Sequence, residues 1–142
     1  MSIDLERTPD GRRLCVSREI PAPAETVWNV LVDTRQWSEW GPSVSAVDCA
    51  DRRIRRGSTG RVQVLGGPWV PFEITTCRDR RWTWAVARVP ATGHRVEAPS
   101  DDRCRAVFEI PPLASGYAVV CRRALRNVDR LAATGGEGPP SA

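Results

Sequence analysis

From Ser43 to Ile110 the sequence alternates apolar and polar side chains in six short runs, each closed by a turn signal or a charged connection. The runs are Val44 to Cys49, Val62 to Val64, Val70 to Thr76, Arg81 to Val89, His94 to Ala98 and Cys104 to Ile110. Between them stand Asp51 to Gly57, Gly66-Gly67-Pro68, Asp79-Arg80, Pro90 to Gly93 and Ser100-Asp101-Asp102. Parallel strands need a crossover of about a dozen residues or more, and these gaps are too short to hold one. The runs therefore predict an antiparallel meander, with one face buried and the other wet.

The flanks are helical. Leu14 to Ile20 reads as a preceding strand, stopped by Pro21-Ala22-Pro23. Val27, Val30 and Leu31 then fall at helical spacing, which predicts a helix from Ala24 to Val32. A second short helix from Arg35 to Glu39 carries Trp37, with Trp40 following and Gly41-Pro42 ending it. After Pro111-Pro112, the positions Tyr117, Val120, Cys121, Ala124, Val128, Leu131 and Ala132 form one apolar stripe on a long helix. The 142 residues suit a single α+β domain over 14–134, with a flexible N-terminal segment at 1–13 and a disordered tail at 135–142. The long helix is the only element large enough to cover the buried face. A curved sheet around it leaves an apolar space, the default ligand site of such a shape.

Composition narrows the function classes. Hydrophobic residues make up 41% and charged residues 27%, which fits a globular chain and not a disordered one. All 21 basic residues are arginine, a bias that weakens any argument from a single arginine. The net charge of +4 is too small and mixed to imply nucleic acid. The Arg52-Arg53-Ile54-Arg55-Arg56 run, flanked by Asp48 and Asp51 and free of stacking aromatics, reads as a solvated connection. Five cysteines at wide spacing, with no CxxC, argue against a zinc site or a disulfide framework. With no secretory pattern and no apolar run long enough to span a membrane, the reading is a cytoplasmic monomer or homodimer. It has no metal or cofactor and no integral membrane segment. Gly57-Ser58-Thr59-Gly60 is not a phosphate-binding loop, and no Gly-x-Ser-x-Gly occurs.

The segment from Val16 to Asp33 resembles the opening of the SRPBCC superfamily, and Trp37-Ser38-Glu39-Trp40-Gly41-Pro42 resembles its second helix. Trp82-Thr83-Trp84 and Gly93-His94-Arg95-Val96-Glu97 resemble its later strands. The superfamily includes START-type lipid carriers, birch-pollen-allergen-like proteins and the polyketide cyclase/dehydrase family. The resemblance implies a helix-grip fold, a sheet of about seven strands with a deep cavity under the C-terminal helix. Members bind lipids, polyketides, quinones or hormones, and some are cyclases. They share no catalytic residue set, so fold does not decide function here.

Candidate site residues follow from strand parity. His94, the only histidine, shares a face with Val96 and is the only candidate acid–base group. Trp84 is the best aromatic for stacking on a ring-bearing ligand, Trp69 a candidate guard beside the Gly66-Gly67-Pro68 turn, and Tyr117 a hydroxyl at the head of the long helix. Phe72 and Phe108 complete the apolar lining. Strand 81–89 leaves two readings open. If Trp82, Trp84 and Val86 face inward, Arg88 shares their face and can pair with a ligand anion. If Thr83, Ala85 and Ala87 face inward, Arg88 is solvent-facing. Three functions are compatible with this set: carriage of a small apolar molecule (a lipid, polyketide or aromatic metabolite), a cyclase or dehydratase using His94, and a protein or ribosome interaction module.

Overall fold

The computed structural model describes residues 1–134, so the expected tail at 135–142 lies outside the described residues. Its elements are β1 (Ser2–Thr8), β2 (Gly11–Ile20), α1 (Ala24–Val32), α2 (Trp37–Trp40), β3 (Val44–Cys49), β4 (Thr59–Val64), β5 (Trp69–Arg78), β6 (Arg81–Val86), β7 (Val89–Glu97), β8 (Cys104–Ile110) and α3 (Ala118–Ala132). Short 3-10 turns at Thr34–Gln36 and Pro112–Tyr117 precede α2 and α3. The strands make one open antiparallel sheet in the order β1-β2-β8-β7-β6-β5-β4-β3. All three helices pack on its inner face, giving the helix-grip α+β architecture.

Helix α1 begins after Pro23, whose fixed φ of −60° suits a helix start. It buries Val27, Val30 and Leu31 completely, so the 3.6-residue spacing read from sequence is the packing face. Asp33 ends it and caps the next turn by accepting from the Arg35 backbone N–H. Helix α3 buries Cys121, Ala124, Leu125, Val128 and Leu131. It is tied down by Arg18, whose guanidinium donates to Asp129 at 2.7 Å, and by Asn127, which donates to the Trp40 carbonyl at 3.1 Å.

Three sequence expectations are corrected. Residues 1–13, read as flexible, contribute β1 and the start of β2, paired from Ser2↔Ser17 to Thr8↔Gly11. Ile3 and Leu5 alternate with Ser2, Asp4 and Glu6, but only these two apolar residues mark the strand and both stay largely exposed, so this edge strand adds little core signal. The run 81–89 is not one strand. Ala87 and Arg88 both take positive φ, 51° and 67°, and turn β6 into β7 as a two-residue hairpin. Such turns favour Asn and Gly, and neither stands here. Pro90, expected to break the sheet, lies within β7, pairing with Ala85 beside a register shift where a missing N–H is tolerated.

The outer face of the sheet carries a charge network. Glu109 on β8 is 2% exposed; its carboxylate accepts from Arg81 at 2.7 Å and from Arg95 at 2.8 Å. Arg95 also reaches Glu6 at 2.6 Å, Arg105 joins Glu6 and Glu97, and Arg81 reaches Asp10 at 2.8 Å. Glu6 and Asp10 come from the N-terminal hairpin, so the network fastens that hairpin to β6, β7 and β8. Gly93 makes the space: a Cβ there would stand 2.7 Å from Glu109 Oε1.

Candidate ligand-binding site

The inner face of β6, β7 and β8 meets α2 in a packed group of rings. Trp82 and His94 are cross-strand partners, and so are His94 and Phe108. Trp37 stacks on Trp82 with centroids 5.2 Å apart and planes 4° from parallel. Trp82 in turn stacks on the imidazole of His94 at 3.9 Å and 19°. Phe108 meets His94 edge-on at 4.8 Å, and Trp40 does so at 5.9 Å. Trp37 and Trp40 stand three residues apart on α2, so both project from one side of that short helix.

Thr92 joins two of these rings by hydrogen bonds. Its Oγ1 lies 3.2 Å from Trp84 Nε1 and 3.1 Å from His94 Nε2. His94 is 2% exposed. Burial drives its pKa from 6.5 down to about 3; the Trp82 backbone opposes that shift and the Arg81 charge adds to it. At neutral pH the ring is an uncharged hydrogen-bonding group. Cys121, facing the same space from α3, has its thiol pushed up to about 12 by burial and behaves as a small hydrophobe.

Between these rings and α3 a chamber of about 30 Å³ persists, lined among others by Trp40, Trp84, His94, Tyr117, Cys121 and Ala124. That is room for about two waters at roughly 10–15 Å³ each. The deep cavity implied by the resemblance is thus largely filled, because Trp37, Trp82 and Phe108 occupy it as core. The chamber's outer wall is Tyr117, at the end of the 112–117 turn, with the first turns of α3 on one side and residues 41–44 on the other. Tyr117 and Ser43 hydrogen-bond hydroxyl to hydroxyl across the mouth. Larger hollows of about 570 and 310 Å³ are lined mainly by outer-face residues, polar and charged ones such as Arg61, Glu73 and Thr75 among them; they lack the enclosing aromatic walls.

This arrangement, rings and helix gripping a small apolar space, has a family counterpart. The family model described as polyketide cyclase / dehydrase and lipid transport matches residues 12–134. The chain belongs to this family. Among solved structures, the Zhui aromatase/cyclase from Streptomyces sp. R1128 is similar at 14% identity, covering 92% of this chain and 99% of that one with a TM-score of 0.64. Protein Ms6760 from Mycobacterium smegmatis is similar at 20% identity, covering 94% and 99%, with a TM-score of 0.61. A Bacillus thuringiensis protein is similar at 12% identity over 84% and 97%, with a TM-score of 0.65. At these identities the likeness is one of fold. A search of curated proteins finds no significant match.

Within this polyketide cyclase/dehydrase-family protein, the residues singled out from sequence divide into three groups. Trp84, His94, Phe108 and Tyr117 come together at the chamber. Phe72 and Val96 face inward but are buried in the core behind it, at 4% and 6% exposure. Trp69 and Arg88 lie elsewhere. Trp69 is 42% exposed under the Arg61 guanidinium on the outer face, because it pairs with Gln63 on the outward parity of β4. Arg88 sits exposed in the β6–β7 turn, so it points away from any ligand anion in the chamber. Both readings of strand 81–89 assumed an unbroken strand, and the turn removes that premise. The arginine run is a tied-down connection: Arg52 pairs with Asp33, Arg55 with Asp51, Arg53 donates to Asn29, and Ile54 is buried.

The sequence places Trp37 and Trp40 on the short second helix but does not single out Trp37, Trp40, Thr92 or Ser43 as site residues. The parity of Thr92 with His94 on β7 was the available signal for Thr92. Nothing local marks Ser43, whose partner Tyr117 stands far along the chain.

Proposed function

We propose that this protein binds a small, ring-bearing apolar molecule between the sheet and α3, with one polar group of the ligand turned toward His94. The observation that carries this reading is the aromatic-lined chamber at the grip of the fold, with Thr92, His94 and Tyr117 among its lining residues. Aromatic faces favour a planar ring over an acyl chain. The chamber's size sets a condition: the 112–117 wall must swing outward for a ligand to enter. That segment buries none of its residues, which suits a locally opening element.

Acid–base catalysis by His94, as a cyclase would use, has less support. A base works best with a pKa near the working pH, and burial holds this imidazole near 3.

Two experiments test the reading. Tryptophan fluorescence titrated with 1-naphthol is expected to show saturable quenching in the wild type. Ala124→Leu, which fills the chamber from α3, is expected to weaken binding about tenfold or more, at an overpacking cost of about 1–3 kcal/mol. Unchanged affinity in a folded Ala124→Leu protein would place the ligand elsewhere. Tyr117→Phe removes the hydroxyl bond to Ser43 and is expected to speed association in stopped-flow measurements. Equal association rates in the two proteins would show that this bond does not hold the mouth.

A further inference from the structure

We infer that the solvent face of α3 docks on an anionic lipid bilayer, with Leu113 and Val119 seated among the headgroups. Val119, Arg122, Arg123, Arg126 and Arg130 fall within roughly 100° of arc on α3, opposite the buried Cys121, Ala124, Leu125 and Val128. All five are exposed. The chain's arginine bias does not account for this row. Nine of the 21 arginines pair with carboxylates of the fold, but none of the four on this face does so among the described residues. The one acid on the helix, Asp129, is 22% exposed and taken by Arg18 at 2.7 Å. The row is therefore left without a counter-charge in contact, and guanidinium groups keep their charge at any physiological pH.

Apolar side chains border the row. Leu113, in the turn before α3, is fully exposed, and Val119 is 74% exposed. Along one flank, Arg122 Nε donates to Met1 Sδ at 3.3 Å, which brings the start of β1 against the helix. Ile3 and Leu5 follow on β1 opposite Val16 and Leu14, so they face the same side of the sheet as α3. Singly scattered apolar residues need no explanation, but a group of them on one face marks a contact surface. Leu113, Val119, Ile3 and Leu5 line neither the chamber nor the two larger hollows, so no recess there waits for a partner's side chain. A bilayer needs no recess: apolar tips enter between headgroups at any spacing, while lipid phosphates meet the arginines. A nucleic acid would use the arginines and leave the apolar border in water. This surface lies outside the chamber, so the inference stands apart from the ligand-binding reading.

Vesicle flotation at neutral pH and about 0.1 M salt, where charges are screened over about 10 Å, tests the docking. The protein is expected to bind vesicles of phosphatidylcholine with about one-third phosphatidylglycerol tenfold or more tightly than phosphatidylcholine alone. The double substitution Arg122→Glu, Arg126→Glu is expected to remove most of that preference. Arg56→Glu, Arg78→Glu makes the same change in net charge in the 50–58 connection and at the end of β5, and is expected to retain it. Leu113→Ser, Val119→Ser is expected to weaken binding to the phosphatidylglycerol vesicles about tenfold. All the substituted side chains are exposed, so urea unfolding should match the wild type in each variant. Absence of binding to the phosphatidylglycerol vesicles would overturn the inference. Equal losses in the two charge-reversed proteins would trace binding to net charge and refute this face. Wild-type affinity in the serine variant would refute apolar seating, and tighter capture by a short RNA duplex than by the vesicles would assign the row to nucleic acid instead.

Discussion

Glu109→Ala is expected to destabilise the protein by about 3 kcal/mol in urea unfolding at neutral pH. The carboxylate is 2% exposed, and its partners Arg81 and Arg95 are only 15% and 16% exposed, so its removal leaves two poorly hydrated guanidinium groups short of an acceptor. Breaking a buried pair costs about 3–5 kcal/mol; the lower end applies because Arg81 keeps Asp10 and Arg95 keeps Glu6 and Glu97. Asp10→Ala, at the 46% exposed end of the same network, is expected to cost under about 1 kcal/mol. Gly93→Ala is expected to act through the same contact, since its new Cβ stands 2.7 Å from Glu109 Oε1. The Gly93→Ala, Glu109→Ala double substitution should then cost less than the sum of the two. Strict additivity would show that glycine at 93 serves the strand itself and not the carboxylate beside it.

Acidification is expected to remove stability through His94. The sign follows from where the proton goes: the unfolded chain takes it up near pH 6.5, while the folded imidazole resists until about 3. Between those values the unfolded state holds more protons, so stability falls as pH falls, by about 1.4 kcal/mol per unit. Above pH 6.5 this contribution is flat. Glu97 adds a later loss: burial pushes its carboxyl up, but Arg105 and Arg95 outweigh that and hold it below 4.5. His94→Phe keeps a ring against Trp82 and removes the titrating group, so its unfolding free energy should lose most of the slope between pH 6 and 4. An unchanged slope in that variant would assign the acid sensitivity to the carboxylates alone.

Much of the architecture was legible because it is local. The 3.6-residue spacing of Val27, Val30 and Leu31, bounded by Pro23 and Asp33, located α1 at Ala24–Val32. Period-two runs located the inward faces of β7 and β8, and with them His94 and Phe108. The failures have equally specific causes. Ala87-Arg88 turns the chain with residues that rarely take positive φ, so no turn was visible. Trp69 lies at a hairpin end, where parity, not proximity to a glycine turn, decides the face. The capacity of the grip was not legible at all. Strand parity puts Trp82 and Trp84 on one face without deciding which, and only three-dimensional packing says that they face inward and that Trp37 stacks on Trp82 and closes the space. Nor does spacing along the chain reveal that Arg81, Arg95, Arg105, Glu6, Glu97 and Glu109 form one network, since its members come from four different strands.

The sheet order has a kinetic corollary. Every neighbouring pair of strands is consecutive in the chain except β2 and β8, where Leu14 to Ile20 meets Ile110 to Cys104. The β1–β2 hairpin therefore waits for the last strand of the sheet before it has anywhere to dock. Until then β2 presents a bare edge beside the newly made α1. Pairings between distant parts of a chain form slowly, so this zipper sets the pace of maturation, and the growing chain is most prone to aggregation before it closes.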